Sequence, residues 1–151
     1  MAANFEIQSP STPLGVRDTL SGAISFLRNE GLEEDQVGTA EIVLAEVLNN
    51  IAEHAHQETG SGNIDLSLSV DGKVVECEIY DDGVPMPEGK APAGNPARID
   101  TEFEDLPEGG FGWFLIRQLT DYLDYARHED RNRLRFGLSA AAMTSSHVEE
   151  F

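Results

Sequence analysis

Three polar residues recur at helical spacing near the end of a predicted helix: Glu46, Asn50 and His54. With about 100° between successive residues, positions i, i+4 and i+8 fall within about 80° of arc, so these side chains form one polar ridge. Carboxylate and amide oxygens suit Mg²⁺, which proteins hold with few oxygens of their own together with phosphates. Glu46 is also a candidate general base. The alternative interpretation is an ordinary solvated helix face.

A second group of candidate residues follows a predicted strand, where the chain reads Asp81-Asp82-Gly83-Val84-Pro85. A carboxylate at a strand end can accept a hydrogen bond from an exocyclic amine. Glycine has no side chain, so Gly83 lets the backbone come close to a flat ring. The alternative is a plain turn that ends the strand.

A third group is rich in glycine and leads into a predicted helix. Its candidate residues are Gly109, Gly110, Phe111, Gly112 and Trp113. Glycines leave backbone N–H groups unshielded at the positive end of the helix dipole, which suits a polyphosphate. The alternative is a flexible hinge before an amphipathic helix. Each group is weak evidence taken singly, and their order along the chain makes them informative together.

Hydrophobic periodicity predicts the elements that hold these groups: a strand, two helices, a hairpin, a long loop, a helix and two more strands. The predicted elements span residues 5–7, 14–27, 33–56, 64–70, 74–80, 112–120, 122–126 and 133–138. Asp71-Gly72 predicts a type I′ turn in the hairpin. Since hairpins dominate the strand connections, we expect an α+β fold. It would be a two-layer α/β sandwich whose mixed, mainly antiparallel sheet has helices on one face.

The loop at residues 82–110 is rich in proline and glycine and has no convincing periodicity. Loops of this length within a compact domain are uncommon and are often functional lids. Lys90 and Arg98 are its basic residues, and Arg117 lies one turn after the glycines. Each is a candidate for a phosphate contact, with plain solvation as the alternative.

Composition excludes several classes of partner. The 151 residues include 28 Asp+Glu against 10 Lys+Arg, which gives a net charge of −18. This charge repels nucleic-acid backbones and anionic bilayers, and it is compatible with a basic protein partner. The length suits one domain, at residues 1–139, with a C-terminal tail at 140–151. Cys77 is the only cysteine; this, with no signal-peptide pattern and no apolar run of about 20 residues, predicts a cytoplasmic protein without a membrane segment.

The three groups, in this order, resemble the three boxes of the gyrase, chaperone, histidine-kinase and mismatch-repair ATPase superfamily. Within it, the short length resembles the anti-sigma factor serine-protein kinases of bacterial partner switching. Three details are similar to that branch in particular: Pro85, the phrase Gly112–Ile116, and Asn132-Arg133-Leu134. The resemblance covers roughly residues 5–139. It implies a Bergerat-type ATP-binding fold, with ATP between helices and sheet.

The resemblance also implies roles, residue by residue. Asn50 would coordinate Mg²⁺, Glu46 would be the general base that activates a serine hydroxyl, and His54 would support catalysis from a variable position of its box. Asp81 would recognise the adenine amine, with Gly83 beneath the ring. The residues implied to surround the phosphates are Gly109, Gly110, Phe111, Gly112 and Trp113.

The function that the resemblance implies is that of an ATP-dependent serine-protein kinase and anti-sigma factor. Such a protein binds a sigma factor and phosphorylates a serine on an anti-anti-sigma (STAS-type) partner, and family members are commonly homodimers. The alternative is a nucleotide-binding regulatory module that sequesters partners without kinase turnover. Retention of Glu46 favours the enzyme, because a pure binding module needs no general base.

Overall fold

The protein is described here by a computed structural model that covers residues 2–55, 62–86, 89, 91 and 110–139. In chain order the elements are β1 (Ala3–Pro10), α1 (Pro13–Asn29), α2 (Glu34–Asn50) with a π-helical extension (Ile51–Ala55), β2 (Asn63–Asp71), β3 (Val74–Asp81), α3 (Gly110–Leu119), β4 (Tyr122–His128) and β5 (Arg131–Leu138). The predicted α+β fold and the predicted order of elements are confirmed. The tail at 140–151 and most of the loop at 82–110 lie outside the described residues.

The five described strands form one sheet in the order β1-β2-β3-β5-β4. All four pairings are antiparallel, so within the described strands the sheet has no parallel pair. β3 and β5 are neighbours although α3 and β4 lie between them in the chain. In this register Asp81, the last residue of β3, stands opposite Asn132 on β5.

One face of the sheet is buried. Along β2 every second residue is buried, and the intervening residues are partly exposed or exposed. Contacts of α1 with β1 and β2, and of α1 with α2, build the second layer. Apolar side chains from helices and strands form one core whose largest fully buried members include Leu27, Leu44, Leu48, Ile79 and Phe136. No described helix has both the length and the apolar character needed to cross a membrane.

The start of α2 follows its sequence signals. Glu34 and Asp35 occupy the first turn, where negative charge is favoured by the positive end of the helix dipole. The side-chain oxygen of Gln36 accepts a hydrogen bond of 3.2 Å from the backbone N–H of Glu33. This contact satisfies a donor that a helix start otherwise leaves without a partner. α2 is therefore fixed at its N-terminus, and its last turns carry Glu46 and Asn50.

The two hairpins use different turns. Asp71 pairs with Val74, so the central residues are Gly72, with φ of 65°, and Lys73. A positive φ at the first central residue alone is the type II′ pattern, so the predicted type I′ turn was wrong. Between β4 and β5 the central residues are Glu129 and Asp130, with φ of 51° and 66°. These are the only described non-glycine residues with positive φ.

Candidate functional site

Asn50 ends α2 with a side chain that the rest of the described chain does not satisfy. It is 9% exposed, and its Nδ2 is buried without a hydrogen-bond partner among the described residues. Leaving a buried donor unpaired costs about 1–3 kcal/mol. Rotation about χ2 presents either the amide oxygen to a cation or the N–H groups to a phosphate. This unpartnered amide, one helical turn from the half-buried carboxylate of Glu46, fits a magnesium–phosphate ligand.

The start of α3 lies against this part of α2. A Cβ built on Gly112 would stand 2.6 Å from Glu46 Oε2 and 4.0 Å from Asn50 Nδ2. A side chain at position 112 would displace the Glu46 carboxylate from where it lies, so glycine lets that carboxylate approach the start of α3. This contact brings the glycine-rich start of α3 next to Glu46 and Asn50. The positive end of the α3 dipole, at Gly110, begins only two residues earlier.

The remaining candidate residues near Glu46 and at the start of α3 are not shown in contact with Glu46 or Asn50. Trp113 is 6% exposed and packs in the hydrophobic core, so its side chain anchors α3. His54 lies in the π-helical extension, where hydrogen bonds run from i to i+5, so the i, i+4, i+8 spacing holds only for Glu46 and Asn50. The side chains of His54 and Phe111, and all of Gly109, lie outside the described residues.

Asp81 lies at the end of β3, as the sequence predicted. Its side chain is buried, with 4% exposure. Its Oδ1 accepts two hydrogen bonds of 2.9 Å, one from the backbone N–H of Gly83 and one from Nδ2 of Asn132. Two donors on one oxygen fix the orientation of the carboxylate. Since Asp81 continues the buried positions of β3, it faces the layer between sheet and helices.

A cluster that the sequence analysis missed lies next to Asp81. We define the β4–β5 cluster as Tyr125, Arg127 and Asn132. The Tyr125 hydroxyl donates to Asn132 Oδ1 at 2.5 Å and accepts the N–H of Met86 at 3.0 Å. Arg127 Nη1 donates to the Gly83 carbonyl at 2.7 Å and to Asn132 Oδ1 at 3.1 Å. The period-two spacing of Tyr125 and Arg127 in β4 places them on one face of the sheet, and the register of β4 with β5 brings that face to Asn132.

The structure describes the surroundings of Arg117 and Cys77, two further residues that the sequence analysis considered. Arg117 donates a hydrogen bond of 2.8 Å to the carbonyl of Ala91, so at least one of its N–H groups is used by the chain itself. Lys90 and Arg98 lie outside the described residues. Burial raises the pKa of the Cys77 thiol, in agreement with its predicted place in the core. Within the described ranges, no group of three or more His, Cys, Asp or Glu side chains could hold a metal ion by itself.

Comparison with known proteins decides the family. Residues 9–138 match the model of the histidine kinase-like ATPase domain. The chain belongs to this family. Over 122 residues it is 31% identical to the serine-protein kinase RsbW of Oceanobacillus iheyensis, covering 78% of this chain and 75% of the relative. It is 29% identical over 109 residues to RsbW of Halalkalibacterium halodurans, covering 72% of this chain and 65% of that protein.

Two solved structures share the fold of this chain. The crystal structure of the RsbU and RsbW domains of a Mycobacterium tuberculosis protein matches with a TM-score of 0.63 and 13% identity, over 91% of this chain and 32% of that one. The histidine kinase domain of a blue-light activated kinase from Erythrobacter litoralis matches with a TM-score of 0.54 and 18% identity, over 90% of this chain and 64% of that one. The predicted resemblance to histidine-kinase-like ATPases and to their serine-kinase branch is confirmed.

Proposed function

We propose that this protein is a cytoplasmic, ATP-dependent serine-protein kinase and anti-sigma factor. It binds a sigma factor and phosphorylates a serine on an anti-anti-sigma partner of the STAS type. The observation that carries the proposal is the meeting of Gly112 at the start of α3 with Glu46 and Asn50 on α2. The similarity to relatives named serine-protein kinase supports the reaction type.

ATP would be held at its adenine, by the part of the site around Asp81 (the base end), and at its phosphates, by the part around Asn50 and the start of α3 (the phosphate end). At one end, Asp81 accepts a hydrogen bond from the adenine amine, and Gly83 lies beneath the ring. At the other, the backbone N–H groups of Gly109, Gly110 and Gly112 would surround the phosphates at the start of α3. Asn50 would hold Mg²⁺, which neutralises charge on the triphosphate when bound. Since the described side chains offer no metal cluster of their own, the phosphates would complete the coordination.

Glu46 would act on the incoming serine. The serine oxygen forms a bond to the γ-phosphorus while the bond from that phosphorus to the β,γ-bridging oxygen breaks, and ADP leaves. The hydroxyl proton passes to the Glu46 carboxylate. The space that Gly112 leaves beside Oε2 of Glu46, which a larger side chain would fill, supports this role.

The negative charge of the chain would favour binding of a basic partner. A net charge of −18 attracts a basic surface on a sigma factor, so association would be faster at low ionic strength. We include a homodimer in the proposal, and sedimentation equilibrium of the purified chain tests it. An association rate with the cognate sigma factor that is independent of salt would contradict the electrostatic part.

The decisive experiment is transfer of labelled phosphate from ATP to an anti-anti-sigma protein. We expect phosphoserine on the partner with the wild-type chain. In Glu46→Gln the rate should fall about 10²- to 10⁴-fold, because general-base catalysis is removed, while ATP affinity is retained. Glu41→Gln, which changes an exposed carboxylate on the same helix, is the matched control and should leave the rate unchanged.

Two results would contradict the kinase proposal. A rate that is equal in Glu46→Gln and wild type would exclude Glu46 as the base. ATP binding and partner exchange without any transfer, across partners that bind, would instead favour the nucleotide-binding regulatory module that acts by sequestration.

A further inference from the structure

The β4–β5 cluster has no role in the proposed function so far, although Asn132 binds Asp81 and all three members bind the backbone at residues 83–86. We propose that Tyr125 and Arg127 are positioning residues for base recognition. Acting through Asn132, they hold the Asp81 carboxylate and the following backbone in the geometry that selects adenine. This inference rests on the proposed binding of ATP, and it adds the residues that determine which base is accepted.

The orientation of the Asn132 amide is fully determined by its neighbours. Asn132 is 4% exposed, and its Oδ1 accepts hydrogen bonds from Arg127 and Tyr125. Its Nδ2 donates to Asp81 Oδ1 and, at 2.8 Å, to the carbonyl of Val84. Arginine can only donate and a carbonyl can only accept. The opposite orientation of the amide would therefore place donor against donor and acceptor against acceptor.

The same cluster fastens the backbone that follows Asp81. Arg127 holds the Gly83 carbonyl, Asn132 holds the Val84 carbonyl, and the Tyr125 hydroxyl accepts the N–H of Met86. Because Tyr125 also donates to Asn132, one hydroxyl connects the segment 83–86 to the amide that orients Asp81. Loss of that hydroxyl would leave Asn132 Oδ1 and the Met86 N–H each short of a partner.

A fixed carboxylate discriminates between bases. It accepts a hydrogen bond from the exocyclic amine of adenine, but hypoxanthine carries a carbonyl at the same position and would place two acceptors together. A binding site rejects the wrong ligand best when its own polar groups cannot turn away to relieve such a contact. If the β4–β5 cluster is loosened, Asp81 can reorient, and the preference for adenine should fall.

The test measures dissociation constants for ATP and for inosine triphosphate by calorimetry on the full chain. We expect wild type to prefer ATP by roughly tenfold or more. Tyr125→Phe should lower this ratio about threefold to tenfold, the range expected for one lost hydrogen bond. The matched control is Tyr122→Phe, which makes the same change at an exposed position of the same strand, outside the β4–β5 cluster. It should keep the wild-type ratio.

A second pair of variants guards against a folding defect in the first. Arg127 is exposed, so Arg127→Met keeps the stem of the side chain and removes the hydrogen bonds to Gly83 and Asn132. We expect it to lower the ATP preference with a melting temperature near that of wild type. Arg135→Met, at an exposed position of β5, is its control and should leave the preference unchanged.

Each outcome separates this inference from the proposed function. If both cluster variants weaken ATP and inosine triphosphate equally, or leave both affinities unchanged, the cluster does not govern base choice and the inference is overturned. If the wild-type chain prefers ATP while the cluster variants show either of these results, only the inference about the cluster is overturned. The proposed function is then retained. A wild-type chain that binds neither nucleotide overturns the proposed function and this inference together.

Discussion

The base end and the phosphate end of the candidate site differ in how completely the chain itself satisfies their polar side chains. Oδ1 of Asp81 accepts hydrogen bonds from Asn132 on β5 and from the backbone N–H of Gly83. Tyr125 and Arg127 on β4 hold Asn132 in turn. At the other end, the buried Nδ2 of Asn50 has no partner among the described residues. A pre-organised site avoids the cost of ordering its groups at the moment of binding. The base end is thus built by the protein, while the phosphate end is left for a ligand to complete.

This difference follows from how each end is assembled. Glu46 and Asn50 are four residues apart on one helix, so local spacing places them together. Asp81 and Asn132 are 51 residues apart and meet only because β3 pairs with β5 in a particular register. A shift of one residue in that register would turn Asn132 to the other face of the sheet. The base end therefore depends on the whole sheet, and the phosphate end on two helices.

Among variants that compare the two ends, the largest expected effect on nucleotide affinity belongs to Asn50→Ala. If the phosphate end is completed by Mg²⁺ and phosphate, this variant should lower Mg–ATP affinity by about 100-fold, the upper range for loss of one contact to a charged group. Without Mg²⁺, calorimetry should find a much smaller difference from wild type. Asn49→Ala, at the exposed neighbouring position, is the control. If Asn50→Ala binds Mg–ATP as tightly as wild type, Asn50 is not a magnesium ligand. The difference between the two ends would then lose its explanation.

A smaller effect is expected from Gly112→Ala. The added Cβ would stand 2.6 Å from Glu46 Oε2, so either the carboxylate or the start of α3 must move. Because Oε2 ends a flexible side chain, the carboxylate can turn away at little cost in stability. Its displacement moves the proposed base, and we expect roughly a tenfold loss of serine phosphorylation with base preference retained. The comparison would fail if the ATP preference over inosine triphosphate fell instead.

Gly38→Ala is the matched control for this change. Gly38 also lies in a helix, α2, but a Cβ built there has no atom within 4 Å. Alanine at such a position should stabilise the helix by about 0.5–1 kcal/mol. Its urea midpoint should rise and its phosphorylation rate should stay at the wild-type level.

Local periodicity was sufficient to predict most elements, although the type of the turn at Gly72 and Lys73 was not predicted from its local signal. The alternation in β2 and the helical spacing of Glu46 and Asn50 are short-range patterns that physical periodicity produces directly. The β4–β5 cluster could not be predicted, because a tyrosine on one strand and an asparagine on the next give no sign of which backbone they will meet. His54 marks another limit, since the change from α- to π-helix after Asn50 alters the spacing rule on which its placement depended.

The smallest effect concerns the turn that joins β4 to β5. Glu129 and Asp130 have positive φ without being glycine, a conformation that costs an L-residue energy and that Asn-Gly adopts readily. The double change Glu129→Asn with Asp130→Gly should stabilise the protein by about 1 kcal/mol, seen as a higher urea midpoint. The turn lies beyond the β4–β5 cluster and does not contact Asp81 through any described hydrogen bond. The ATP preference should therefore stay the same; a preference that rises with stability would mean that the base end is still loose in the wild-type protein.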